Sequence, residues 1–330
     1  MEAARARSGR LRNLTEPHER GSILVAAVFD AFLTMYKSRV ADLLRIASEG
    51  TGVLPEGQLH PDLVNRLAEE AAASAQHVLE MCIRALDYCP PVDVTFGDYL
   101  RAVVTADFEF NPVDDEHHRV AFAEAFRRRG IVPDKVRTLS VDGLLLRPAA
   151  DAPDEDENVV IGLVKNWAAD IDSWNLSRSR EELFELMREK RAELHVYVES
   201  KLDLDSAVLS GIDPKLKFEV HSIRPSMRVD WNEQSRLQWV IELTQRIPQY
   251  LDPQSSDGTA PDYYFRGGCT LLVDAETGKV RYSVKKRLDT ERRERQRRYL
   301  LGEGNESLAA TYFGDAMSDG SEPFAMLHRF

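Results

Sequence analysis

The feature that most constrains this fold is a change of hydrophobic period. Up to about residue 130 the apolar residues recur at spacings of three and four, which stacks them on one face of α-helices. Beyond Lys201 they alternate by two, as on pleated strands. Helical runs followed by strand runs imply an α+β protein: an N-terminal helical bundle, then a smaller antiparallel sheet with a helix packed on one face.

Within the helical part, residues 22–47 read as one helix with Ser22 as N-cap. Ile23, Val25, Val28, Phe29, Phe32 and Leu33 leave its first half almost without a polar face, so the helix should be wrapped by other elements. Asp30, inside that run, reads as a partnered buried carboxylate. Pro61 opens a second helix to about Tyr88, with Leu63, Leu67, Ala71, Ala75, Val78, Cys82 and Ala85 on its stripe, and Pro90–Pro91 stop it. "VTFGDYLRAVVTADF" forms another. "DEHHRVAFAEAFRRRG" forms the next, with arginines in its last turn and Gly130 suited to the position after its C-cap.

These elements place a helical domain at 1–146 and an acidic linker at 147–157, from the run "RPAADAPDEDE". An α+β domain follows at 158–301 and a poorly ordered Gly/Ser/acid-rich tail at 302–330. In the second domain, Ser179 and Glu182 have capping-box spacing ahead of an amphipathic helix. "KFEVHSIRP", "LQWVIELTQR", "GCTLLVD" and "KVRYSVKK" read as strands, with "AETG" as the turn between the last two.

Composition narrows the setting. The chain is 43% hydrophobic and 30% charged, and no run reaches the roughly 18 apolar residues of a membrane span. The basic N-terminus has no apolar signal core. Three cysteines without a CxxC read as reduced thiols, with Cys82 and Cys89 on one helix face, so a cytoplasmic location is expected. A net charge of −12 argues against nucleic acid as a partner. The basic run 284–300 interleaves Glu with Arg and reads as a solvated helix.

One family pattern runs through the first part. A histidine, His18, lies just before a long apolar helix. A helix ending in "CIRALDYCPPVDVTFGDYLRA" (82–102) follows, and "AFAEAFRRRGI" (121–131) closes the segment. In order and spacing, residues 10–132 resemble the C-terminal helical subdomain of thermolysin-like zinc metallopeptidases, the gluzincins. The resemblance implies that His18 donates a hydrogen bond to the oxyanion of the tetrahedral intermediate. The family's orienting acid lies five residues earlier, where this chain has Asn13; Glu16 is the other candidate orienter. An amide oxygen accepts the imidazole N–H but adds no charge to hold an imidazolium.

The family's zinc site is missing from the sequence. HExxH sets two histidines on one helix face with the general base between them. Of the eight histidines here (18, 60, 77, 117, 118, 195, 221 and 328), none lies four residues from another, and Ser22 stands four beyond His18. An oxyanion donor contributes about 2.7–4 kcal/mol, against the roughly 8–23 kcal/mol that enzymes supply. A peptidase built on His18 alone is therefore excluded on magnitude. No cofactor is expected in this chain, and zinc only where a partner or an upstream segment brings the ligands.

The remaining candidates read as structural. "DDEHHR" (114–119) reads as acids at a helix N-terminus, not as a metal cluster. His77, His195 and His221 read as ordinary helix or strand residues, and "RGGC" (266–269) as a strand entry or bulge rather than a phosphate cradle.

The expected function is thus metallopeptidase-related: a gluzincin-like cleft wall, inactive alone. The chain would be split from its zinc-bearing half, shortened by a misplaced start, or a metal-free remnant. The half's partner would be that zinc-bearing segment, and peptides its substrate only once assembled. The alternative is a non-catalytic scaffold or protein-binding module that uses the α+β domain.

Overall fold

The computed structural model describes residues 17–54, 56–149, 161–168, 179–204, 206, 209–229, 235–251 and 261–301. The acidic linker from residue 150 and the tail 302–330 lie outside them. The architecture is α+β, with helices first and a four-stranded antiparallel sheet after them. The chain divides into two compact units. One comprises Met1–Cys89, Val94–Arg147 and Met227–Arg236; the other comprises Pro90–Asp93, Pro148–Ser226 and Leu237–Phe330.

The first unit is helical. Its helices are α1 (Pro17–Arg39), α2 (Ala41–Ala47), α3 (Pro61–Ala85), α4 (Phe96–Phe110), α5 (His118–Arg128) and the single turn α6 (Val141–Leu144). Residues 22–47 are therefore two helices, not one, parted at Val40. The first begins at Pro17, where the missing N–H costs nothing. Ser22 is consequently inside the helix, with its Oγ donating back to the Glu19 carbonyl at 2.8 Å. The α3 helix ends at Ala85 and tightens into a 3₁₀ turn, Leu86–Tyr88. The Nδ1 of His60 caps its start by accepting from Asp62 N–H.

Helix α1 packs against α5 and α3, and α3 against α4. Its buried stripe is narrow: Ala27, Ala31, Met35 and, just past its end, Val40. Small residues every four positions allow close approach to α5. The rest of the helix is not wrapped as its composition implies, since Val25 is 69% and Phe29 56% exposed. Asp30 is half-buried and accepts a hydrogen bond from Arg129, which ties α1 to the end of α5. By length and composition α1 is the one described helix that could cross a membrane. Its packing and its ion pair make it a member of the bundle.

Capping fixes the other helices. Thr95 and Asp98 form a reciprocal capping box at α4. At the end of α5, Gly130 has φ +72°, and the Ile131 and Gly130 N–H groups reach back to the Phe126 and Arg127 carbonyls, each at 3.0 Å. This is a Schellman closure, and Ile131 is buried beneath it.

The second unit holds α7 (Leu163–Ala168), α8 (Arg180–Lys201), strands β1 (Phe218–Val229) and β2 (Ser235–Gln249) apart from their ends at 227–229 and 235–236, strands β3 (Tyr263–Asp274) and β4 (Val280–Lys286), and then α9 (Thr290–Leu300). The strands run in the order β1-β2-β3-β4, a simple meander. Two helices, α7 and α8, cover one sheet face. Trp167 meets Trp239 edge-on at 5.5 Å, and Leu194 and Val198 pack with Ile241, Leu243, Cys269 and Leu271. On the other face Val240, Thr270, Leu272 and Tyr282 are buried, while Glu242 stays partly exposed and accepts from Ser222 and Arg224 at 2.8 and 3.0 Å.

Gln245, also buried, fastens the preceding loop to the sheet. Its amide accepts from Asp213 N–H at 2.6 Å and donates to the Asp213 and Leu216 carbonyls at 2.7 and 3.0 Å. Gly267 and Gly268 lie inside β3 opposite Gln245 and Thr244, neither at a strand entry nor in a phosphate cradle. A side chain on Gly268 would run into the Leu243 carbonyl. The irregularity in pairing falls instead between Leu272 and Val273.

Helix α9 docks through Leu300 on Tyr263 and Phe265. Its Arg292 stacks 4.3 Å over Phe265, donates to the Arg266 and Arg287 carbonyls, and reaches Asp93 at 2.6 Å. Part of the basic run is thus spent on folding rather than left in solvent.

Candidate functional site

Two places in the helical unit collect chemistry-bearing residues. The first is the outer face of α1. His18 sits in its first turn and is exposed; residues four, seven and eleven further on are Ser22, Val25 and Phe29, all exposed. At 100° per residue these four side chains share one stripe. It continues through half-buried Phe32 and Tyr36, with Phe29–Phe32 and Phe32–Tyr36 ring centroids 5.7 and 6.2 Å apart. The sequence-derived orienters of His18, Asn13 and Glu16, lie outside the described residues. Among the described residues no group of three or more His, Cys, Asp or Glu is placed to hold a metal ion.

The second place is a buried polar cluster. His77 on α3 and His118 at the start of α5 come together from 41 residues apart, with His118 Nδ1 3.0 Å from His77 Nε2. On the same His77 nitrogen converges Asp107 of α4, whose Oδ1 is 3.3 Å away. The other Asp107 oxygen accepts from Arg119 Nη1 at 2.8 Å, and both side chains are under 5% exposed. Arg119 also donates to the Asn111 and Pro112 carbonyls, holding the loop before α5. Glu116 Oε2 lies 2.9 Å from His118 Nε2, off the direction in which that nitrogen could donate, and 2.6 Å from Arg39 Nη1 at the end of α1. A second Arg39 contact, to Glu70 of α3, holds its guanidinium above the ordinary arginine range.

Local sequence explains part of this. "DDEHHR" does act as a cap: Asp114 accepts from the His118 and Arg119 N–H groups at 2.7 and 3.2 Å. His117 takes the left-handed conformation, φ +56°, which turns the chain so that His118 points into the bundle. Burial, then the neighbouring His77, push the His118 imidazole below its ordinary range, against the pull of Glu116, Asp107 and Asp114. His77 and His118 are thus joined in one cluster, which their separate contexts in the sequence do not reveal. The available signal was Asp107, a carboxylate within the apolar stretch Val103–Phe108 of α4.

Other groups are chemically quiet. Cys269 is fully buried and its thiol is pushed up to about 12 by burial. Burial also raises Cys82 and Tyr99, whose hydroxyl donates to the Cys82 carbonyl at 3.0 Å. His195 stacks on Phe218 at 4.6 Å. None of the three cysteines forms a disulfide.

The class of protein that fold and sites define is a two-unit α+β protein with an exposed apolar helix face and a buried histidine–carboxylate cluster. Comparisons with protein-family models, with curated proteins and with solved structures returned no match.

Proposed function

We propose that the helical unit is the C-terminal wall of a gluzincin-type peptidase cleft, inactive alone, whose zinc-bearing half comes from another segment or chain. The observation that carries this reading is the His18–Ser22–Val25–Phe29 stripe. An apolar face of this kind with a histidine at its end fits a helix meant to be covered, since such surface is costly to leave in water. The order of motifs from His18 to Ile131 supports the same reading. The sequence has no HExxH, and among the described residues no group of three or more His, Cys, Asp or Glu is placed to hold a metal ion, so this reading leaves the zinc ligands to the other half. His18 is the side chain on which the resemblance places the oxyanion hydrogen bond, and its exposure leaves it available to whatever covers the stripe. Cytoplasmic residence belongs to the same proposal and is supported by the absence of disulfides.

The test starts with the flanking DNA and any segment there that encodes HExxH. Co-expressed with it, this chain should form a zinc-dependent casein-cleaving complex; Phe29→Asp should prevent assembly, and His18→Ala should preserve assembly while lowering kcat. Zinc-dependent cleavage by the isolated chain would overturn the reading of an incomplete site. So would failure of the stripe variant to affect assembly.

A further inference from the structure

We infer that His77 and His118 form a proton-operated latch between α3 and α5, closed while the pair holds at most one excess proton and opened when both imidazoles are cationic. The two facing nitrogens are 3.0 Å apart, so a single hydrogen lies between them. With both rings neutral, Asp107 Oδ1 at 3.3 Å favours that hydrogen on His77 Nε2, so His118 accepts at Nδ1 and carries its own hydrogen on Nε2. With one extra proton on the pair, one facing nitrogen can still accept and the contact is kept. A second puts hydrogens on both facing nitrogens, and the contact is lost.

Charge and burial sharpen the threshold. The groups that face the pair are Asp107 from α4, Asp114, Glu116 and Arg119 from α5 and its leading loop, and Arg39 from α1 with its Glu70 partner on α3. Arg119 is engaged by Asp107, and Arg39 is shared between Glu116 and Glu70, so both guanidinium groups are held by carboxylates rather than set against the rings themselves. Two imidazolium rings with facing nitrogens 3.0 Å apart repel each other. With side chains only 25% and 8% exposed, water screens that repulsion poorly. Histidine is the side chain whose ordinary titration, near pH 6.5, makes such a device responsive to mild acid. The latch is independent of the cleft-wall reading, since it uses neither His18 nor the exposed stripe.

The test is a ring-nitrogen NMR titration of the full chain labelled with ¹⁵N-histidine, together with amide exchange in α5 after correction for its intrinsic pH dependence. The two rings should titrate in coupled, separated steps, with α5 protection falling at least tenfold on the second. His77→Gln removes one titration, and its amide can turn its oxygen toward a protonated His118. In that variant the His118 midpoint should rise by about one pH unit, and α5 should stay protected through the acid range. An unchanged His118 midpoint in the variant would overturn the latch. If the variant does not fold, the wild-type titration decides: two independent single-step curves, or α5 protection indifferent to the second proton, would overturn it as well.

Discussion

Arg119 is 3% exposed and spends its guanidinium on Asp107 and on the carbonyls of the loop before α5. A buried pair of this kind adds little over apolar residues of equal volume, yet breaking it is costly because one charge is left without a partner. Asp107→Ala should therefore lose about 3–5 kcal/mol of stability, while the double variant Asp107→Leu, Arg119→Met should lose less than the single one. Urea unfolding of the three proteins checks this, and additive losses would contradict it. Acidity acts at the same scale. Burial and His77 hold the folded-state pKa of His118 below its unfolded value, so the unfolded chain binds the proton more readily. The stability contributed by neutral His118 is complete above about pH 6.5. It declines as the pH falls below that point and levels off once the folded-state pKa is passed. Urea midpoints measured across this range should fall toward acid, and His118→Gln should flatten part of the slope.

At the scale of elements, α1 shows how one helix divides its labour. Ala27 and Ala31 are fully buried and let α5 approach, whereas Val25 and Phe29 face outward. Ala31→Leu should overpack this contact and cost about 1–3 kcal/mol. Phe29→Gln should change stability by no more than about 0.5 kcal/mol, as surface substitutions do. Thermal melts of the two variants separate these outcomes, and a large loss from Phe29→Gln would mean that the stripe is already covered. The same contrast marks what was legible. The breaks after α3, the capping boxes of α4 and α8 and the Gly130 closure of α5 are local matters of hydrogen bonding and φ, and residues a few positions apart announce them. The start of α1 was misplaced because Ser22 is as suited to back-bonding within a helix as to capping one.

Across the whole molecule, reactivity follows burial more than residue type. Cys269 lies on the covered face of the sheet with its thiol pushed up to about 12, whereas Cys82 is only partly covered. A thiol reagent applied to the native protein should leave Cys269 unmodified and modify it only on unfolding; native labelling, read by peptide mass, would show that the sheet opens.

The amino-acid order by itself settled the α+β class, the change from helices to a meander, and most helix ends, since periodicity and caps act over one or two turns. It also showed the lack of HExxH, a pattern held within five consecutive residues. Only tertiary packing decided which side of α1 was left outward, which sheet face α7 and α8 cover, and that His77, Asp107, His118 and Arg119 meet. Those contacts join positions up to 41 apart in the chain, and proximity of that kind arises only when separate helices pack.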